Sequence, residues 1–244
     1  MTEASRSRRT LVLVDARALS PRVRSLELRT RDGSPVVYEA GQWVNLYPLH
    51  EGTPIRRSYS IARAPDPAVA DRIEIAVTRV LGGPASEALH ALPIGAEIEM
   101  DGPFGVFTRT EAQRAAPAIF VGTGTGVTPL RAMIQDEARR GGDGPPLVLL
   151  FGCRTEDDLL YRAEWEALAA RWPRFRFIPT LSRPSESWTG LRGHVTVWYE
   201  PIAAELAGAH VYAAGLSRMV DEIRRISKER LGWDRKRIHT ERYD

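Results

Sequence analysis

The stretch Phe120-Val121-Gly122-Thr123-Gly124-Thr125-Gly126-Val127-Thr128-Pro129 decides how this chain is read. An apolar run at 118–121 enters it. An amphipathic pattern leaves it, with Leu130, Met133, Ile134 and Ala138 at i, i+3, i+4 and i+8 on one helix face. Glycines at three alternate positions permit a tight turn and let phosphate oxygens approach the main chain. A helix opening directly behind the turn aims its N–H groups and positive dipole end at the same place. Pro129 falls in the first turn of that helix, where a missing N–H costs nothing. Strand, glycine turn and helix in this order favour a nucleotide site over a bare βα turn.

Toward the C-terminus the same grammar repeats. Apolar runs at 147–151, 175–178 and 211–214 read as buried parallel strands. Between them, Tyr161, Trp165 and Leu168 share one helix face, as do Met219, Ile223 and Ile226. Strand–helix repetition of this kind predicts a doubly wound α/β sheet, which binds ligands at the carboxyl ends of its strands. Toward the N-terminus the grammar changes. Residues 72–80 alternate Ile73, Ile75 and Val77 with Arg72, Glu74 and Ala76, the period of a half-buried strand. Further short strands at 11–14, 25–28, 43–47, 59–61 and 97–100, punctuated by Gly and Pro, predict a small antiparallel β-barrel, interrupted by one helix at 84–91. The boundary falls within 108–116, giving domains 1–112 and 113–244.

The 244 residues suit two such domains, and 43% hydrophobic with 27% charged residues supplies two ordinary cores. No apolar run reaches the ~18 residues of a membrane helix. The first ten residues are polar and Arg-rich and read as a short disordered tail, not a signal peptide. Cys153 is the only cysteine, which excludes an internal disulfide and a cysteine-ligated iron–sulfur cluster and fits a reducing cytoplasm. The five histidines show no metal-ligand spacing, so no metal site is expected. The net charge is +3, and Lys228 and Lys236 are the only lysines. An arginine-dominated positive charge suits phosphates or an acidic protein partner. No arginine block interleaved with aromatics suggests a nucleic-acid surface.

Two more clusters carry chemistry. In Arg56-Arg57-Ser58-Tyr59-Ser60-Ile61, Arg57 and Tyr59 share a strand face and Ser60 follows; alone, an ordinary edge strand accounts for it. Gly82-Gly83-Pro84-Ala85-Ser86 is a glycine turn opening a helix, either a second phosphate site or a capping turn.

Together and in this order, these motifs resemble the ferredoxin–NADP reductase superfamily over nearly the whole chain. The resemblance implies an N-terminal FAD barrel, a C-terminal domain for NADPH or NADH, and an active site in the cleft between them. It assigns Arg57 to the flavin pyrophosphate, Tyr59 to stacking on the flavin ring, and Ser60 to hydrogen bonding near the flavin's reactive nitrogen. Gly83 and Ser86 match its second flavin-phosphate turn, and Gly122, Gly124, Thr125, Gly126 and Pro129 its nicotinamide-dinucleotide loop. The segment from Val211 to Met219 is similar to the family's Cys-Gly-Pro followed by Met: Gly215 and Met219 match, while Ala214 and Leu216 replace Cys and Pro. Glu241 and Tyr243 look like the family's C-terminal Glu and aromatic, with Asp244 as one extra residue.

The strand near Thr180 continues Leu181-Ser182-Arg183-Pro184, with no carboxylate before Glu186. NADH-preferring enzymes commonly place an Asp or Glu there to hold the ribose hydroxyls. Ser182 and Arg183 resemble a phosphate-binding pair, and Arg154 adds a second guanidinium, so NADPH is favoured over NADH. The acceptor implied is a separate ferredoxin or flavodoxin. Reduction of free flavin or another small acceptor is an alternative activity. A non-catalytic nucleotide-binding regulatory subunit is a second alternative, against which Tyr59, Ser60 and Tyr243 argue.

Overall fold

The computed structural model describes residues 8–243 and divides into two compact units. One runs up to Thr108 and includes Arg131–Asp136; the other comprises Arg109–Leu130 and the chain from Glu137 onward. Arg131–Asp136 form the middle of one helix and are grouped with the first unit.

In the first unit the elements are β1 (Arg9–Ser20), β2 (Val23–Thr30), β3 (Trp43–Tyr47), β4 (Leu49–His50), β5 (Thr53–Pro54), β6 (Arg57–Ser60), β7 (Arg72–Thr78), α1 (Pro84–Ala91) and β8 (Glu97–Phe104). Six strands form one antiparallel sheet in the order β6-β3-β8-β1-β2-β7. Just past β6, the Ala62 N–H donates to the Glu74 carbonyl of β7 at 2.7 Å, so the two edges meet and the sheet closes. Alternate residues Leu11, Leu13, Leu26, Leu28, Val44, Leu46, Ile73 and Ile75 fill the interior, as the period of a strand requires.

Three expectations are corrected. The polar start is not a tail through Thr10: Arg9 and Thr10 already pair with Met100 and Glu99 in β1, while residues 1–7 lie outside the described residues. The strand expected at 59–61 is Arg57–Ser60, because Ile61 turns its N–H to the Gln42 carbonyl. β7 ends at Thr78 and is not half-buried, since Glu74 is only 8% exposed. Ser25 Oγ donates to Glu74 Oε1 at 2.7 Å and Arg131 Nη1 to Glu74 Oε2 at 2.8 Å. Partners from far along the chain thus make a polar position a buried one.

The second unit contains α2 (Glu111–Arg114), β9 (Ala118–Thr123), α3 (Val127–Arg140), β10 (Leu147–Cys153), α4 (Arg162–Arg171), β11 (Phe175–Leu181), β12 (Leu191–Arg192), α5 (Val195–Ala204), β13 (His210–Gly215), α6 (Ser217–Arg225) and β14 (Ile238–Arg242). The sheet is parallel throughout, in the order β12-β11-β10-β9-β13-β14. The chain moves outward one way from β9 through β10 and β11, then returns to β13 on the other side of β9. That reversal is a topological switch point, where such sheets open a crevice at the carboxyl ends of their strands. Sequence reading missed α5, whose Val195, Tyr199, Ile202 and Ala203 are nonetheless buried at helical spacing, and the last strand, β14.

Both units bury a carboxylate among arginines. In the second, Glu137 of α3 accepts from Arg109 at 2.7 Å and Arg174 at 3.3 Å, and also pairs with Arg114. Beside them, His210 and His239 approach at 3.0 Å, with His239 stacked on Tyr212. Burial, with His210 and Arg109 nearby, pushes the His239 imidazole down to about 4, so it is neutral at pH 7. No group of three or more potential metal ligands occurs among the described residues.

Candidate functional site

The glycine motif sits at the switch point. β9 runs to Thr123, a 3-10 turn over Gly124–Gly126 follows, and α3 starts at Val127 with Pro129 in its first turn. Gly124 has φ +52° with open space at its missing Cβ. Gly126 serves a different purpose: a Cβ there would lie 2.2 Å from the Ala214 carbonyl oxygen and 2.8 Å from Gly215 Cα. Gly215, at φ +137°, would place a Cβ 2.7 Å from Thr123 Oγ1. Two main chains therefore cross with no room for a side chain, at the carboxyl ends of β9 and β13. Thr125 shapes the turn by accepting at its carbonyl from Thr128 Oγ1 at 2.8 Å.

At this crossing Thr123 Oγ1 is shut from solvent and has no hydrogen-bond partner among the described residues. A buried, unsatisfied hydroxyl costs free energy, and its presence beside bare main chain fits a ligand with a hydrogen-bonding group. The sequence motif singled out Gly122, Gly124, Thr125, Gly126 and Pro129 but not Thr123, whose surroundings depend on the crossing with β13. β14 brings in the C-terminal residues: Glu241 pairs with Ala214, and the Tyr243 N–H donates to the Gly215 carbonyl at 3.1 Å. Tyr243 remains 38% exposed. It is therefore held by the sheet and is no frayed end; Asp244 lies outside the described residues. Met219, in the first turn of α6, is buried with Val220 and Ile223, and its Cε stands 3.3 Å from where a Cβ on Gly215 would lie.

Farther along the same sheet edge, the ends of β10 and β11 stay zipped beyond the strands. The Ser182 N–H donates to the Cys153 carbonyl at 3.0 Å and the Arg183 N–H to the Arg154 carbonyl at 2.8 Å. Arg154, Ser182 and Arg183 thus come together, with both guanidiniums exposed and unpaired by any carboxylate among the described residues. Burial, with Asp158 and Glu156 nearby, pushes the Cys153 thiol up to about 12, so it is no thiolate.

In the first unit, β6 lies at the sheet edge on β3, with Tyr59 opposite Val44 and Ser60 opposite Trp43. Arg57 is exposed, and its guanidinium donates to the Arg56 carbonyl at 2.8 Å. Tyr59 is half-buried against the barrel core; burial pushes its phenol up to about 12, so the hydroxyl stays protonated. Ser60 is buried. The end of this strand is pinned by Arg131, which donates to the Ala62 carbonyl at 2.7 Å as well as to Glu74. Burial alone raises the carboxyl pKa of Glu74, but Arg131 and Ser25 outweigh it and hold the group below the ordinary glutamate range.

The Gly82–Ser86 turn caps α1. Ser86 Oγ accepts from the Val80 N–H at 3.1 Å and lies 3.0 Å from the Gly83 carbonyl, so this hydroxyl is spent on the turn. Alongside opens a cavity of about 530 Å³ lined by His50, Gly82, Pro84, Glu87, Ala88 and Ala91. An open cavity at a helix N-terminus can receive a phosphate-bearing group.

An antiparallel barrel with this strand and a parallel sheet with this switch point define a flavin- and nicotinamide-dependent oxidoreductase. Family models agree. Residues 10–108 match an oxidoreductase FAD-binding domain and residues 120–225 an oxidoreductase NAD-binding domain. Ferredoxin--NADP reductase B of Sorangium cellulosum is 48% identical over 238 residues, 95% of this chain and 96% of that protein. The phenol hydroxylase P5 protein of Acinetobacter pittii is 31% identical over 95% of this chain but only 64% of its own length. Among solved structures, the Amycolatopsis cytochrome P450 reductase GcoB superposes with a TM-score of 0.86 at 26% identity, over 97% of this chain and 69% of that one. The chain belongs to the ferredoxin–NADP reductase family of FAD- and NAD(P)-dependent enzymes. No helix among the described residues is long and apolar enough to cross a membrane.

Proposed function

We propose that this enzyme takes a hydride from NADPH onto bound FAD and delivers single electrons to a separate ferredoxin or flavodoxin, working in the cytoplasm. Bound FAD supplies the conversion of a two-electron donor into one-electron steps. The chain's residues supply position. Arg57 neutralises the flavin pyrophosphate, Tyr59 stacks on its ring, and the N-terminal turn of α1 at Gly83 receives its phosphates. The main-chain crossing at Gly126 and Gly215 lets the pyridine dinucleotide lie against backbone. The orphaned Thr123 hydroxyl then donates to or accepts from its carboxamide. Glu241 and Tyr243 keep the roles that the resemblance gives them, with Tyr243 covering the flavin ring and Ser60 bonding near its reactive nitrogen. Arg154, Ser182 and Arg183 receive the ribose phosphate that distinguishes NADPH.

The observation that carries this reading is the crossing itself: two parallel strands end in glycines that leave bare main chain beside a buried, unsatisfied hydroxyl. The test is the visible spectrum of the purified protein before and after anaerobic NADPH, followed by cytochrome c reduction with and without added ferredoxin. A flavin spectrum bleached by NADPH, with cytochrome reduction dependent on ferredoxin, is the expected result. Colourless protein that takes up neither FAD nor FMN overturns the flavin assignment. Turnover that proceeds only with excess free flavin replaces the protein acceptor with a small one.

A further inference from the structure

The β11 strand exit carries no carboxylate of its own before Glu186, yet the fold delivers one from elsewhere. Glu156, in the turn after β10, reaches across to the segment after β11. Its Oε1 accepts from Ser185 Oγ at 2.5 Å and from the Ser185 N–H at 3.1 Å. Ser185 is gripped on its other side as well, because Arg192 Nη2 donates to its carbonyl at 3.2 Å. Ser185 stands two residues from Arg183 and three from Ser182, while Glu156 stands two from Arg154. The bond therefore joins the two loops that carry the guanidinium pair. It also brings a negative charge onto the segment that follows β11, the strand whose exit carries a ribose-binding carboxylate in NADH-selective enzymes. Ser185 is the first cause, ahead of Arg162, of a Glu156 carboxyl held below the ordinary glutamate range, so this charge is present at neutral pH.

We propose that Glu156 is a positioning residue for nucleotide selectivity: while Ser185 occupies it, Arg154 and Arg183 are left to an anionic ribose, and once released it favours a ribose bearing hydroxyls. This rests on the assignment of Arg154, Ser182 and Arg183 to the ribose end of the dinucleotide. Two opposite shifts follow. Ser185→Ala removes the hydroxyl donor, loosens the carboxylate and lowers the ratio of kcat/KM for NADPH to that for NADH. Glu156→Gln keeps an acceptor for Ser185 but removes the charge, and raises the ratio. A single partly screened charge at this range is worth roughly a threefold change each way, which shrinks as salt shortens the Debye length.

The experiment measures both kcat/KM values with flavin-loaded wild type, Ser185→Ala, Glu156→Gln, the double variant and Arg183→Ala, at low salt and at high salt. Expected are shifts carried by KM and not by kcat, opposite in sign for the two single variants, with no fall on adding Ser185→Ala to Glu156→Gln. A ratio unmoved in both single variants, or moved in the same direction by both, overturns the proposal. The underlying assignment is tested separately: if Arg183→Ala weakens NADPH and NADH equally, the ribose-end assignment fails. If Arg183→Ala hurts NADPH alone while the Glu156 and Ser185 variants change nothing, only the role of Glu156 falls.

Discussion

The two ligand-facing regions are built on opposite principles. At β6 of the first unit the site consists of side chains on an edge strand, Arg57 outward and Tyr59 half-buried, with the strand end held by a buried Arg131–Glu74 pair. At the crossing in the second unit the site consists of absent side chains. Gly126 and Gly215 are there because a Cβ would strike the opposing main chain. Side-chain sites lose function by degrees, since each group contributes its own bonds. A main-chain crossing has no such reserve, since backbone cannot move aside as a rotamer does.

The largest effect expected is on the pair that holds the side-chain site. Glu74→Ala removes the buried carboxylate to which Arg131 donates, and breaking a buried ion pair costs roughly 3–5 kcal/mol, or about 10 °C in melting temperature for a protein of this size. Thermal unfolding followed by circular dichroism measures it, and a loss under 1 °C would mean that solvent reaches Arg131. The pairing also has a pH signature. Because the folded pKa of Glu74 lies below the ordinary 4.5, its contribution is complete above that value and is lost as pH falls through the lowered one. Acid unfolding should therefore begin below about pH 4.5, and Glu74→Gln should flatten that limb.

Next comes the crossing. Gly126→Ala places a methyl 2.2 Å from the Ala214 oxygen, and forced overpacking of this kind costs about 3 kcal/mol. Gly124→Ala, at a glycine with open space but positive φ, should cost only ~1 kcal/mol. Equal melting temperatures for the two variants would show that the crossing yields, and the contrast between the regions would collapse.

Arg57→Ala tests the graded behaviour. Loss of one charge-assisted bond of roughly 1.5–3 kcal/mol weakens FAD retention about 10- to 150-fold with the melting temperature of the flavin-free protein unchanged, as fluorescence titration would read. Retention within twofold of wild type would remove Arg57 from the flavin site.

The smallest overall effect is predicted at Thr123. Replacing a buried hydroxyl that lacks a partner by a methyl is neutral or slightly favourable, within about 1 kcal/mol. Thr123→Val should therefore keep or raise the melting temperature while raising KM for NADPH and NADH alike, and Thr123→Ser should restore both KM values. A fall in stability without a change in KM would mean that the hydroxyl has a structural partner.

Local rules made much of this protein legible. The period of two placed β7, the period of 3.6 placed α3, α4 and α6, and the glycine spacing at Gly122, Gly124 and Gly126 located the turn between β9 and α3. Each reports on neighbours within a few residues. The β14 strand was not legible in that way. Its five residues, Ile238–Arg242, are half-buried to exposed with no alternation, and only the waiting edge of β13 makes them a strand.

What the sequence by itself determined is therefore the two kinds of sheet, antiparallel then parallel, most of their longer strands and helices, and the candidate flavin and nicotinamide motifs. What only the tertiary structure decided are the charges. Glu74 is buried because Arg131, 57 residues away, covers it. Glu156 stands beside the β11 exit because Ser185, 29 residues away, receives it. The physical reason is range: steric and hydrophobic periodicities act between residues a turn or a pleat apart, whereas a carboxylate's environment is set by whichever guanidinium or hydroxyl the completed sheet brings within 3 Å.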